Sequence, residues 1–384
     1  VIADESFRFT DANTELRVCC SALNAMTFRV PAHPYREKCV ERVFELTVRA
    51  EDPNAKVSAL GALLLHSGLT GRIPLARRAI PMLHAAARDP DVTPHVLAVA
   101  VYALAYHHTL DVEEDTSRAR TEIARLREIA ATHSLPHVVA FADLIDWLYA
   151  LHFGTAADAV RWARVMESNA VPGRPFEVGA GPNAHAWNAL FVGDAASAAA
   201  RSREVEVPWT STGCVYWAHI WSWPLIWAAR EQGDADEAAR RFEAFASSAA
   251  TTGMPMLLTP SDLIAAKLAL DAGDRSKAQE HVIALVERAS RHGPANLYWL
   301  RRWFEEVMSF ALQERIDPAA VTRIIRLRPG HDIDRSRIDE TLWPWPLRIR
   351  TFGALVVLRD DAPVDYGRRS PRRVLALLGM LVAF

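Results

Sequence analysis

One pattern constrains this chain more than any other: Gly154-Thr-Ala-Ala-Asp-Ala159, Gly193-Asp-Ala-Ala-Ser-Ala198, Gly233-Asp-Ala-Asp-Glu-Ala238 and Gly273-Asp-Arg-Ser-Lys-Ala278 recur in order. The glycines stand 39, 40 and 40 residues apart, each between an apolar helical stretch and an Ala-rich one. Such a unit reads as helix–turn–helix. Glycine takes the left-handed position that ends the first helix, the following Asp or Thr caps the second, and the small alanine lets the two helices approach closely. Gly71-Arg-Ile-Pro-Leu-Ala76 fits the template two periods earlier, and Glu114–Ala119 fills the intervening register without a glycine.

The spacing predicts first (A) helices near 57–68, 93–109, 137–153, 182–192, 213–232 and 258–272. It predicts second (B) helices near 73–88, 116–133, 155–168, 194–204, 234–250 and 274–292. Pro224 should kink or split its A helix. Further pairs are expected at 295–314 with 317–327 and at 11–26 with 34–50, and no strand is expected before residue 347. The fold is therefore read as an all-α solenoid of helix pairs over residues 1–328, with a concave face free for a partner. An irregular bundle whose helices end in Gly-Asp is the competing architecture.

Charge and composition narrow the function. With 44 Lys+Arg against 46 Asp+Glu in 384 residues, the net charge of −2 excludes a uniformly basic nucleic-acid coat, so any DNA contact must come from a local patch. The four cysteines, Cys19, Cys20, Cys39 and Cys214, form no CxxC pair and write neither a disulfide framework nor a zinc ribbon; they are expected to be small buried residues in a reducing cytoplasm. Lysine occurs only at Lys38, Lys56, Lys267 and Lys277, none of them in a phosphate-binding glycine loop. Val1–Thr10 shows no signal peptide, and the apolar runs His95–Tyr106 and Val374–Phe384 are shorter than a spanning helix, so no membrane partner is expected. The start at Val1 and the end inside an apolar run lead us to expect a piece of a longer protein.

The helical pattern stops at Pro329-Gly330, and residues 329–346 are expected to be a linker. Leu347–Gly353 and Leu355–Arg359 read as two short pairing strands, Asp360–Pro363 as a turn, and Ser370-Pro371 as the cap and first position of a helix over Arg372–Phe384. Residues 343–384 hold seven Arg against three Asp. Arg368, Arg369, Arg372 and Arg373 are the candidate phosphate contacts, against the plainer reading of a solvated basic turn.

Other constellations carry less chemistry. His107-His108 with Asp111, Glu113 and Glu114 is the densest set of metal-ligand types, but adjacent helical histidines diverge by about 100°, and no metal site is assigned. No H-E-x-x-H, G-x-S-x-G or G-x-G-x-x-G occurs, and no catalytic residue is assigned. Five tryptophans fall between Trp209 and Trp227. Trp217 and Trp221, with Trp187 and His219, are the candidate lining of a groove for a small apolar ligand or peptide. Core packing between stacked helices is the more ordinary reading of the same residues.

Gly-Asp-x-x-x-Ala after an apolar helix resembles the tetratricopeptide repeat, in the longer-period form of bacterial transcription activators related to the maltose-regulon activator. Trp343–Gly353, Arg359–Val364 and Gly367–Leu378, preceded by Ile316–Arg326, resemble the start of the response-regulator-type winged helix that such activators carry, including those with the bacterial transcriptional activator domain. The resemblance implies a repeat domain at 1–328 sensing a small-molecule inducer or protein partner, and a winged-helix DNA-binding unit beginning at 347–384 whose recognition helix follows Phe384. It also implies possible homo-oligomers and ATP bound by a nucleotidase domain before Val1, with no cofactor held by these residues. The alternative is a protein–protein scaffold without DNA binding.

Overall fold

The computed structural model describes residues 9, 11–111, 117–294, 297–327, 333–350, 355–360, 362–366 and 372–383. Within them the chain is a succession of helix pairs ending in a small sheet and one helix. The pairs are α1 (Ala12–Phe28) with α2 (Arg36–Arg49), α3 (Pro53–Thr70) with α4 (Ile73–Ala86), α5 (Pro94–Leu110) with α6 (Ser117–Thr132), and α7 (Pro136–Phe153) with α8 (Ala156–Asn169). Next come α9 (Pro175–Phe191) with α10 (Ala195–Ser211), the split helix α11 (Val215–Ile220) and α12 (Ser222–Glu231) with α13 (Ala235–Thr252), and α14 (Pro255–Asp271) with α15 (Arg275–His292). The 3-10 turn Leu297–Leu300 leads into α16 (Arg301–Gln313), which pairs with α17 (Pro318–Arg326).

The turn chemistry is the one the repeat implies. Asp194, Asp234 and Asp274 each accept the backbone N–H three residues on, and Thr155 with Asp158 forms a reciprocal capping box. Gly193, Gly233 and Gly273 have φ of 83°, 81° and 76°, where a side chain would be strained. Gly154 corrects the expectation: its φ of −96° is extended, because only Gly154 and Thr155 separate α7 from α8, one residue fewer than in the other turns. Ala159, Ala198, Ala238 and Ala278 are buried in the A–B contact as expected. Pro224 sits in the first turn of α12, and the break at Trp221 is the split its missing N–H predicts.

Helix α9 begins seven residues before the expected 182. Gly179, Gly181 and Pro182 read as breakers, yet they lie inside it. A Cβ on Gly179 would meet Trp209 Nε1 at 2.2 Å, and one on Gly181 would meet Glu167 Cα at 2.8 Å. The glycines serve close approach to α10 and α8, and that packing overrides local propensity.

The superhelix coils tightly enough for early and late pairs to meet. Tyr106 Oη lies 3.2 Å from Tyr216 Oη and donates to Met256 Sδ at 3.8 Å. Arg301 donates to the carbonyl of Leu151, and His292 seats against Gly71. One continuous core therefore runs from Leu69 to Trp343. A second cluster joins α1, α2 and α3.

Residues 333–346, expected as a linker, lie on α16: the amide of Asp339 donates to Ser309 Oγ at 2.8 Å, and Trp343 is 1% exposed in the main core. Beyond them β1 (Leu347–Arg350) pairs antiparallel with β2 (Val356–Arg359), Leu347 opposite Arg359, as the pattern predicts. The predicted turn at 360–363 contributes a third short strand, β3 (Ala362–Pro363), on the other edge of β2. Helix α18 (Arg372–Ala383) follows.

Candidate functional site

Six consecutive A helices each turn a large apolar side chain toward a common cavity of about 390 Å³: Phe28, Leu65, Tyr102, Phe141, Phe176 and Trp217, with Ala98, Val99 and Val138 between them. The first five are the seventeenth residue of α1, the thirteenth of α3, the ninth of α5, the sixth of α7 and the second of α9. Each step is close to one helical turn, so the row crosses the inner face obliquely as the superhelix winds. The volume is that of an ordinary small-molecule pocket.

The aromatic members touch in series. Ring centroids of Tyr102 and Phe141 are 4.9 Å apart, of Phe141 and Phe176 5.6 Å, and of Phe176 and Trp217 5.1 Å. Trp209, fully buried behind them, lies 5.2 Å from Trp217 and donates its Nε1–H to the carbonyl of Phe176 at 3.2 Å. The wall is rigid because each ring is held by the next.

Polar groups occupy the margin. Arg29, at the end of α1, reaches the turn between α10 and α11, its Nη1 3.4 Å from where a Cβ on Gly213 would stand. Opposite, His137 Nε2 and His95 Nδ1 share a hydrogen bond at 3.1 Å. Cys214 lines the cavity with its thiol pushed up to about 11 by burial, so it is a neutral group and not a nucleophile. Burial likewise raises Cys19 and Cys20 to about 11 and Cys39 to about 12.

Of the four groove candidates, Trp217 alone lines this cavity. Trp187 is fully buried among Trp223, Trp227 and Trp299, 5.6 Å from the last. His219 points at the B helix α13, where its Nε2 lies 3.1 Å from Ser248 Oγ, and desolvation lowers it to about 4. Trp221 is half-buried at the α11–α12 break. The inner face expected to be open is filled at this level, because Trp147, Trp187, Trp223, Trp227 and Trp303 are too large to leave a channel. The spacing held the signal for the five missed residues: Phe28, Leu65, Tyr102, Phe141 and Phe176 recur, with Trp217, at the repeat period, within a few residues.

The basic candidates are less gathered. Arg368 and Arg369 lie outside the described residues; Arg372 opens α18 and Arg373 is exposed beside it. In the hairpin, Arg348 and Arg350 project from one face and Arg359 from the other, as the register requires. His107 and His108 are both buried, their ring centroids 5.4 Å apart at 64°, and among the described residues no group of three or more His, Cys, Asp or Glu could hold a metal. Glu113 and Glu114 lie outside the described residues. No described helix is long and apolar enough to cross a membrane.

No protein-family model matches the chain, and no curated protein matches it. Among solved structures the chain is similar to aspartyl phosphate phosphatase F from Bacillus subtilis, with a TM-score of 0.43 and 9% identity over 84% of this chain and 90% of that one.

Proposed function

We propose that the protein is a ligand-responsive regulator: the helical-repeat domain, residues 1–328, binds a small molecule in the ringed cavity and passes its state to a C-terminal winged-helix unit that contacts DNA. The observation carrying this reading is the cavity itself, to which six A helices contribute and whose occupancy would therefore alter the pitch of the whole superhelix. Segment 333–346, packed on α16, is the route by which that change reaches β1–β3 and α18. The resemblance of residues 343–378 to a winged-helix start supports the DNA-binding half, as do the exposed Val374, Leu377 and Met380 on α18, a face suited to cover by the remaining elements of such a domain.

Split between two faces of the hairpin, the arginines of this region suit phosphate contact without base reading. Residues 1–384 should therefore bind duplex DNA weakly, without sequence preference, and with a steep salt dependence. The deciding experiment is chromatin immunoprecipitation of the full-length protein from its own host. Enrichment at a few promoters supports the regulator; a flat profile leaves a protein–protein scaffold, in which the sheet only caps the solenoid.

A further inference from the structure

Resting on the ligand-binding reading of the cavity, we infer the chemical class of its ligand: an apolar organic anion, a carboxylate on an aromatic or branched hydrocarbon body.

Three observations converge. The wall is the aromatic series Tyr102, Phe141, Phe176 and Trp217, all lining the cavity with each ring in contact with the next. No Asp or Glu lines the cavity, while Arg29 and the His95–His137 pair do, and burial raises Cys214 and Tyr102 so that both stay neutral; the charge the margin can carry is therefore positive. The Arg29 side chain has no ion pair or hydrogen bond among the described residues, so its guanidinium fork is available to a planar carboxylate. A neutral hydrocarbon would use the wall and leave the fork idle. A cation would gain the ring faces but meet Arg29. An anion with an apolar body uses both.

The position of Arg29 also gives binding a structural consequence. It belongs to the first pair, yet its guanidinium stands against Gly213 in the turn that opens the sixth. A carboxylate held there fastens α1 across the ring to α11.

The test uses residues 1–384 and three probes of one shape: 1-naphthaleneacetate, its neutral amide, and (1-naphthylmethyl)trimethylammonium, titrated by calorimetry. The acid should bind about tenfold more tightly than the amide, and the cation more weakly than both. Arg29→Gln should bring acid and amide to equal affinity, whereas Trp217→Ala should weaken both alike. Acid binding should slow hydrogen exchange at the end of α1 in the unaltered chain and not in Arg29→Gln. Equal affinity of acid and amide in the unaltered chain, or preference for the cation, overturns the anion assignment and keeps the cavity as a ligand site. Failure of all three probes, or binding indifferent to Trp217→Ala in a variant that melts as the parent does, removes the ligand-site reading and the assignment with it.

Discussion

Trp299 donates its Nε1–H to His152 Nε2 at 2.6 Å, joining two residues 147 positions apart and fastening the end of α7 to the turn before α16. The imidazole must accept at Nε2, so it is neutral and carries its proton on Nδ1. Both groups are buried, and either alone would be left without its partner. Trp299→Phe and His152→Leu should each destabilise the fold by about 1–3 kcal/mol. The double variant should lose less than the sum, since no orphan remains. Urea unfolding of the four proteins measures this, and strict additivity would show that the bond couples nothing.

Acid should act on His152 and on two further buried histidines. Burial, aided by the positive charges of Arg36 and Arg301 respectively, lowers His66 to about 4 and His152 to about 3; burial alone lowers His219 to about 4. Each takes up a proton in the unfolded chain near 6.5 but resists it when folded. Stability is therefore full above pH 6.5, falls as pH drops through that value, and levels only near the folded values. The slope is as much as about 1.4 kcal/mol per pH unit for each histidine. The capping carboxylates Asp158 and Asp194, held below the usual range by their hydrogen bonds, withdraw their contribution only at still lower pH. Urea midpoints at pH 7, 6 and 5 should decline steadily, and His219→Gln should flatten that decline.

How much of this was readable beforehand follows the range of the physics. The Gly-Asp turns, the buried alanine five positions on and the split at Pro224 are local, so the one-dimensional pattern contains them. A second signal of the same kind went unread: Gly213, Gly253 and Gly293 end the B helices with positive φ, again 40 residues apart. The course of α9 is different in kind, since Gly179 looks like a breaker until Trp209 is seen to occupy its missing side chain's place. The cavity was half legible. Trp217 stood out by the density of tryptophans around it, whereas Tyr102 and Phe141 join it only because the coil brings the first to fifth A helices beside the sixth. Trp187 misled for the same reason: in a tighter coil, the inner face of its helix is core.

Gly179→Ala provides a test by sign. In an exposed helix interior the change stabilises by about 1 kcal/mol. Here the new methyl would fall 2.2 Å from Trp209 Nε1 and 2.3 Å from its Cδ1, in a ring that is fully buried. The indole must move, and its bond to the Phe176 carbonyl and its contact with Trp217 move with it. A loss of about 1–3 kcal/mol is expected, shrinking when the change is made in a Trp209→Leu background. Thermal unfolding decides, and a higher melting temperature for Gly179→Ala alone would mean that α9 and α10 stand further apart than described.

Lys267 links the repeat domain to the segment after it. Its ammonium, 9% exposed, bonds Asp271 at 2.5 Å and Glu306 at 2.7 Å. Asp271 also accepts from Arg230 at 2.6 Å, and Glu306 from Arg337, which in turn holds Asp334 at 2.9 Å. Charges thus alternate from α12 through α14 and α16 into residues 334–337, where the chain turns toward the sheet. Lys267→Met removes the central cation and leaves two carboxylates with one partner each, a loss of about 2–4 kcal/mol, moderated by the arginines that remain. The more telling consequence is local. Glu306 loses the lysine that positions it for Arg337, so hydrogen exchange at residues 334–343 should quicken while that of α5 stays as it was. Unchanged exchange there would assign the docking of this segment to the burial of Trp343 alone, and the ionic chain would then stabilise the solenoid without transmitting anything from it.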